Sequence, residues 1–417
     1  YMRFVINRET GIIKEVLLKE QNGFINLYPL TNKGLGLFMP TVSTVSFQHL
    51  QEQSRSGMLL QSNGKTREYV LTGRTVQTTL KGENSIQFYM PAHTEESRQD
   101  ARYLRLVVKD NAGTTNNIKI SRALKQTIVF NNVAWIALSF KHYSLLYDPD
   151  ISVSVQISPH ISREGFIVNI KSNQDNWALK SYFGPNYSPI LSQIEPNWLS
   201  LLDYGILNNT MKGMLSICYK LTRNYGLAII VLALFFNMLF APLTIESYRS
   251  MKKMQGLQPH MQALKEQHKD NPQAINKEML ALYKRHNVNP MGGCLPMLLQ
   301  IPVFIALYNT LMRSYELKNA TFLWVKDLSV PDKLLTLPQA LPFVGSDINL
   351  LPILMAVLMF VQQKMSPTPK SSGAAMPSLW FLPIIFGVIF YKFPAGLVLY
   401  WFTNSLSMLV LQNIGRK

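Results

Sequence analysis

The chain is short of the residues that site chemistry usually requires. Its 417 residues include two cysteines and seven histidines. No two histidines stand four apart, so the paired spacing of a helical metal site is missing, and no serine sits in a G-x-S-x-G elbow. Asn63-Gly64-Lys65-Thr66 ends like a phosphate-binding loop, but the preceding glycine is Gly57, leaving six intervening residues where that motif has four. The stretch reads as a hairpin turn. Charge is also scarce: 16% of residues are charged, and Asp plus Glu number 24 against 41 Lys plus Arg, a net +17. Residues 1 to about 185 hold no apolar run near the roughly 20 residues that cross a bilayer. The start, "YMRFVINRET", shows no basic stretch followed by an apolar one. If this first region lies outside the cytoplasm, a signal or anchor upstream of it is expected.

What is present divides the chain in two. Residues 1–185 read as short alternating runs such as "REYVLTGRTVQTTL" and "RYLRLVVKD", with tight-turn signals at Asn22-Gly23 and Asn63-Gly64, the pattern of a β-sandwich domain. Five apolar segments follow, at about 225–244, 293–312, 349–365, 378–391 and 395–414, and predict five membrane-spanning helices. The fourth is short and needs help from its neighbours. Between the halves, Leu207, Met211, Met214, Cys218 and Leu221 recur at helical spacing. An amphipathic helix over 196–223 is expected to lie in the membrane interface, with Trp198 and Tyr204 as headgroup anchors.

Charge orients the spans. The excess is spread over both halves, 21 basic against 14 acidic residues in 1–185 and 20 against 10 in 186–417. The connection after the first span holds eight Lys/Arg against four Asp/Glu, whereas Ser314–Ile348 holds three against four. The positive-inside rule puts the first connection in the cytoplasm and the second outside. The β-domain then lies outside and the "IGRK" terminus inside, with Cys218 and Cys294 near opposite surfaces and unable to pair. A basic multi-span protein owes its charge to such loops, and specific nucleic-acid recognition is not indicated. Within the basic connection, 246–288, Met254, Leu257, Met261 and Leu264 form one apolar seam and Ile275, Met279 and Leu282 another. Asn271-Pro272 supplies a cap and first-turn proline between them, so a helical hairpin is expected. Its cations suit anionic lipid or an acidic partner.

Polar residues inside the spans carry the functional reading. Counting about 1.5 Å per residue from either membrane face puts Asn237 roughly 18 Å below the outer surface and Gln300 roughly 10 Å above the inner one. The two amides lie at nearly the same depth. Gln362 and Gln363 sit near the inner end of the third span, and Thr403, Asn404 and Ser405 approach mid-membrane in the fifth. Amides converging from several helices on the inner half suggest a wet cavity there, with no polar path through the outer half. Pro242, Pro296, Pro302, Pro352, Pro383 and Pro394 lie in or at spans and free carbonyls that need other partners.

These residues carry a resemblance. "VNPMGGCLPMLLQIPVFIALY", "LPILMAVLMFVQQKMSP", "FPAGLVLYW", the basic hairpin and "DLS" at Asp327–Ser329 resemble the signatures of the YidC family of bacterial membrane protein insertases, from about Trp198 to the terminus. The first 185 residues resemble, more loosely, the periplasmic β-sandwich of its Gram-negative-type members. The resemblance implies a multi-pass inner-membrane insertase and chaperone with no nucleotide hydrolysis and no cofactor, working alone or beside the Sec translocon. Its implied partners are nascent membrane proteins, membrane lipids, and the ribosome or signal-recognition machinery. The groove would be lined by Asn237, Gln300, Gln362, Gln363, Thr403 and Asn404. Pro296, Met297, Pro302, Phe381 and Pro383 would form a slide for the entering span, and Arg249, Lys252, Lys253, Lys284 and Arg285 would meet partners from the hairpin. Aligned on "APLT", the family's groove-facing arginine is Asn237 here, so groove polarity persists without the charge. Two other classes compete. A small-solute transporter would show an internal repeat or a polar path through the outer leaflet, and neither is present. A sugar-binding β-domain on an anchor would have no use for inner-leaflet amides.

Overall fold

The computed structural model describes residues 2–6, 13–20, 23–26, 46–52, 55–62, 65–72, 74–91, 103–119, 126–159, 165–268, 271–286, 288, 295–341, 345–365 and 381–416. The Asn22-Gly23 and Asn63-Gly64 turns and Cys294 lie wholly or partly outside them. The chain forms two compact units, Tyr1–Asp203 and Tyr204–Lys417.

The first unit is a curled antiparallel sheet. Its path runs β4 (Ser46–Glu52), β5 (Arg55–Ser62), β6 (Lys65–Thr72), β7 (Thr75–Lys81), β15 (Asn176–Pro185), β12 (Tyr143–Pro149), β11 (Ile128–Ser139), β13 (Val153–Pro159), β14 (Gly165–Ser172) and β8 (Ser85–Pro91), while β9 (Arg105–Asp110) joins β11 and carries β10 (Thr115–Lys119). A separate three-stranded sheet is made by β1 (Met2–Ile6), β2 (Ile13–Glu20) and β3 (Gly23–Asn26). The expected hairpin at 63–64 closes on the pair Ser62↔Lys65. Strand β11 changes partner along its length: Ile128–Phe130 pair with β13, and Ile136–Ser139 pair with both β12 and β9. Asn132, at φ 56°, sits at the register shift, where an asparagine tolerates the left-handed region better than most residues. The central strands are buried on both sides, with Ile136, Leu138, Leu145, Tyr147, Leu179 and Phe183 on one face and Ala137, Leu146 and Tyr182 on the other.

One expectation is corrected here. Residues 196–202 do not begin an interfacial helix. They form a 3-10 turn after α1 (Ser188–Ile194) that stays with the sheet. Trp198 is fully buried, and its indole N–H donates to Asp148 Oδ2 at 2.8 Å. Arg105 of β9 donates to the carbonyls of Leu201 and Asp203. A buried, bonded indole cannot serve as a headgroup anchor. The unit boundary therefore falls after Asp203.

The second unit opens with α2 (Ile206–Thr222), which begins at Gly205 (φ 93°) and ends on Arg223 in the left-handed region. Its apolar surface is divided. Met211 and Leu215 are buried, whereas Leu207 and Leu221, expected on the same stripe as Met211, remain 63% and 77% exposed. Tyr204 lies under the Arg313 guanidinium, 4.7 Å from ring centroid to Cζ. Asn224 then caps α3 (Tyr225–Gly256) by accepting from the Leu227 N–H at 3.1 Å. At 32 residues, α3 is about 48 Å long and continues through Pro242 well past the first apolar segment.

The expected hairpin is present as α4 (Gln258–Gln267) and α5 (Pro272–Arg285), with the Asn271 side chain accepting from Ala274 N–H at 3.1 Å. Leu257 and Met261 are buried in it, and the Tyr283 hydroxyl reaches Met261 Sδ at 3.7 Å. The remaining helices are α6 (Leu295–Arg313), α7 (Leu350–Met365), α8 (Leu382–Phe390) and α9 (Ala395–Arg416). Among the described residues, α3 and the Ala395–Ile414 stretch of α9 are long and apolar enough to cross a bilayer, and Leu350–Met365 is a shorter apolar helix. Helix α8 has nine residues, about 14 Å.

Between α6 and α7 lies a hairpin the sequence pattern did not announce, β16 (Lys333–Leu341) and β17 (Gly345–Asn349). The "DLS" triplet closes this end of the bundle. Asp327 Oδ1 accepts from the Ser329 N–H and hydroxyl at 2.8 and 2.7 Å. That turn presents the Leu328 and Val330 carbonyls to the Gly396 and Ala395 N–H groups at the start of α9. A Cβ on Gly396 would stand 3.2 Å from both Leu328 O and Ile229 Cδ1. "DLS" and "FPAG" are two halves of one joint.

Candidate functional site

Helices α3 and α9 build the centre of the site. Their N-terminal ends meet at Ile229 and Gly396 and they pack along their lengths. Eight residues further along each, about 12 Å, come Asn237 and Asn404, which are therefore level. Both are buried, at 7% and 8% exposure. Asn237 Nδ2 donates to its own helix at Ala233 O, 2.7 Å, and Thr403 Oγ1 donates to Leu399 O at 2.8 Å. Asn404 Oδ1 is buried with no hydrogen-bond partner. About two turns below Asn237, Thr244 Oγ1 is likewise buried with no hydrogen-bond partner, and Gln412, eight residues on from Asn404, is fully buried. Buried polar atoms are almost always bonded to protein or water, and orphans on apolar helices mark a place where water or a polar segment belongs.

Two further amides bridge helices. Gln300 of α6 donates from Nε2 to the Tyr400 hydroxyl of α9 at 2.6 Å, and Gln362 of α7 hydrogen-bonds Tyr248 on the inner part of α3. Gln363 is half-buried beside it. The structure thus brings Asn237, Gln300, Thr403 and Asn404 to the helices around α9, and ties Gln362 to α3. Sequence reasoning missed Tyr400, Tyr248, Thr244 and Gln412. Their signal was periodic: Tyr400, Asn404 and Gln412 differ by multiples of four, and Asn237, Thr244 and Tyr248 by seven and four, so each set shares a helix face. Among the described residues, the buried polar groups within these helices are amides and hydroxyls. The buried carboxylate of this unit, Asp332, sits in the loop before β16 and accepts from Trp324 Nε1 at 3.1 Å and the Leu351 N–H at 2.8 Å. Burial pushes its pKa above the ordinary carboxylate value, against the pull of those bonds.

The slide residues are less uniform than expected. Pro302 is exposed within α6 and Phe381 is half-buried before α8, but Pro383 is buried among the helices. Pro296 and Met297 belong to the first turn of α6 by their backbone, and their side chains lie outside the described residues. Of the hairpin cations, Arg249, Lys252 and Lys253 are exposed on the end of α3, and Lys284 and Arg285 on the last turn of α5.

The helical unit carries buried amides and hydroxyls on two helices that are long and apolar enough to cross a bilayer. The family described as 60Kd inner membrane protein matches residues 217–417. The membrane protein insertase YidC of Citrifermentans bemidjiense is 33% identical over 427 residues, covering 97% of this chain and 74% of that protein. The same-named proteins of Geotalea daltonii and Pelobacter propionicus are 40% and 45% identical, over 68% and 54% of this chain. The chain spans about half the length of these two relatives, 53% and 42%. Among solved structures it is similar to an active YidC insertase with the first transmembrane domain resolved, at 19% identity and a TM-score of 0.45, covering 98% of this chain and 90% of that one. The chain belongs to the YidC family of membrane protein insertases. It is accordingly an inner-membrane insertase and not an enzyme.

Proposed function

We propose that the unit from Tyr204 onward works by solvation. The buried amides Asn237, Gln300 and Asn404 hold water within the cytoplasmic half of the bundle, so that the hydrophilic flank of a nascent span crosses a thinner apolar barrier. A charge at mid-bilayer costs about 2.5–3.5 kcal/mol on insertion scales, and a partial polar path lowers that without covalent chemistry. The observation that carries this reading is the unpartnered Asn404 Oδ1, level with Asn237 between two long apolar helices. Five spans at the segments named above, with the β-unit periplasmic and sandwich-like and the C-terminus cytoplasmic, give the charge asymmetry of the loops its simplest explanation. The domains are then the β-unit as far as Asp203, the amphipathic helix Ile206–Thr222, and a core over 224–417 carrying the hairpin 246–288.

The exposed cations Arg249, Lys252, Lys253, Lys284 and Arg285 suit anionic lipid, a ribosome or signal-recognition machinery at the cytoplasmic face, and the Sec translocon is a further partner consistent with the resemblance. Pro302 and Phe381, at the surface of α6 and before α8, fit an entry slide with Pro296 and Met297, whereas Pro383 would support that wall from behind. The test is reconstitution of the chain alone in liposomes with a small two-span client and no nucleotide. Protease-protected client supports the reading, and insertion no better than into empty liposomes refutes it.

A further inference from the structure

Alongside the buried amides, α3, α7 and α9 leave a cavity of about 370 Å³ that runs from under the loop that follows α6 down past the level of Asn404. Ile230 and Leu234, Leu351 and Leu354, Leu399, Phe402 and Leu406 form its walls, and Phe322–Val325 its roof. Thr403 and Ser407 also line it, but their hydroxyls donate to Leu399 O and Thr403 O in their own helix at 2.8 and 2.9 Å. An occupant therefore finds no free polar group within. With every wall apolar and the polar atoms of the lining engaged in their own helix, the cavity suits a single hydrocarbon chain. The wall along α9 from Leu399 to Ser407 is about 12 Å long, room for the lower part of a chain that enters from the loop end.

The mouth is built for a headgroup. Phe322 and Val325 exchange both backbone hydrogen bonds, at 2.9 and 2.8 Å, in a tight turn. The turn holds Leu323 at φ 50° with its side chain 75% exposed. A leucine in the left-handed region costs backbone strain, and here it turns an apolar side chain outward at the cavity rim. Trp324 beside it is anchored by its indole N–H to Asp332, the amphipathic placement of interfacial aromatics. Lys326 follows Val325 and is exposed, while the nearest acids are engaged elsewhere, Asp327 by Ser329 and Asp332 by Trp324 and Leu351. A cation beside an apolar slot is complementary to a phosphate on a hydrocarbon chain.

The geometry points to a phospholipid site in the outer leaflet: one acyl chain in the α3–α7–α9 cavity and its phosphate against Lys326. The leaflet assignment rests on the topology proposed above, and the binding itself does not. The test is native mass spectrometry of the full chain in detergent, titrated with phosphatidylglycerol and separately with oleate. The wild type should retain one phosphatidylglycerol more tightly than any later one. Ser407→Phe, which fills the slot, should weaken that first binding at least tenfold, and Leu354→Phe from the facing wall should do the same if Ser407→Phe fails to fold. Lys326→Ala should weaken it about threefold. First-site affinity unchanged in the folded slot variants, or a preference for oleate over phosphatidylglycerol, would overturn the assignment. No client enters the measurement, so its failure would leave the insertase reading untouched.

Discussion

Asn404→Leu separates a wet helix interface from a dry one. Asn404 is 8% exposed and its Oδ1 has no partner. In a dry interface an unsatisfied buried oxygen costs about 1–3 kcal/mol, and leucine, of similar volume, would recover it. The melting temperature of a unit this size would then rise by about 2–4 °C per kcal/mol, with insertion unchanged. In a hydrated groove the oxygen is already satisfied and leucine recovers nothing. It instead removes one of four polar groups, Asn237, Gln300, Tyr400 and Asn404, that lower a barrier of about 2.5–3.5 kcal/mol. An equal share is roughly 0.6–0.9 kcal/mol, or about a three- to fivefold loss of rate. Thermal melts in detergent, paired with liposome insertion of a client bearing a charged tail, read both quantities. The expected result is a three- to fivefold slower insertion with the melting temperature within about 2 °C of wild type. A rise of 4 °C or more with full activity would refute the hydrated site.

The other predictions address packing, electrostatics and topology. Gly226→Ala would place a Cβ 2.2–2.6 Å from Phe322 ring and Cβ atoms, so overpacking should destabilise the helical unit by about 1–3 kcal/mol, read as a lower melting temperature. An unchanged melt would mean that Phe322 moves freely. Burial raises the Asp148 pKa, opposed by the Trp198 hydrogen bond. A carboxyl raised in the folded state contributes stability below the ordinary carboxylate range that is lost as pH climbs through the raised value. Asp148→Asn keeps an oxygen for the indole and should abolish that decline, which chemical unfolding followed by tryptophan fluorescence at several pH values would measure. Cysteine placed at Lys65 should react with an impermeant reagent from outside the cell and at Gln267 only from inside. Labelling of both from one face would reverse the proposed orientation.

How much of this was legible beforehand depended on how local its cause was. The hairpin could be read because Asn271 accepts from the Ala274 N–H three residues on and Pro272 fixes the first turn, both short-range effects. The Ser62↔Lys65 hairpin was legible for the same reason. Trp198 was misread because its setting comes from Asp148, fifty residues away, and Arg105, farther still. Its neighbours in sequence favour a membrane surface, and burial against a sheet leaves no local trace. The length of α3 was also hidden. Pro242 forfeits one backbone hydrogen bond, which ordinarily suggests a stop, but the packed helix carries through it to Gly256. Gln300 was flagged by its cost in an apolar helix, yet its partner Tyr400 lies one hundred residues on and became visible only in three dimensions.

The most direct test of the account changes the groove at Asn237 and compares matched clients. Clients identical except for an acidic or a neutral tail are inserted into liposomes by wild type, Asn237→Leu and Asn237→Arg, normalised to folded protein. Removal of a hydrating amide should slow the acidic-tail client several-fold under Asn237→Leu while leaving a purely apolar client close to wild type. Asn237→Arg should be active and favour the acidic tail, since a long cationic side chain can reach the wet inner face. Uniform loss for all clients under Asn237→Leu, together with an inactive Asn237→Arg, would show that Asn237 only packs one helix against another and would contradict insertion through a hydrated groove.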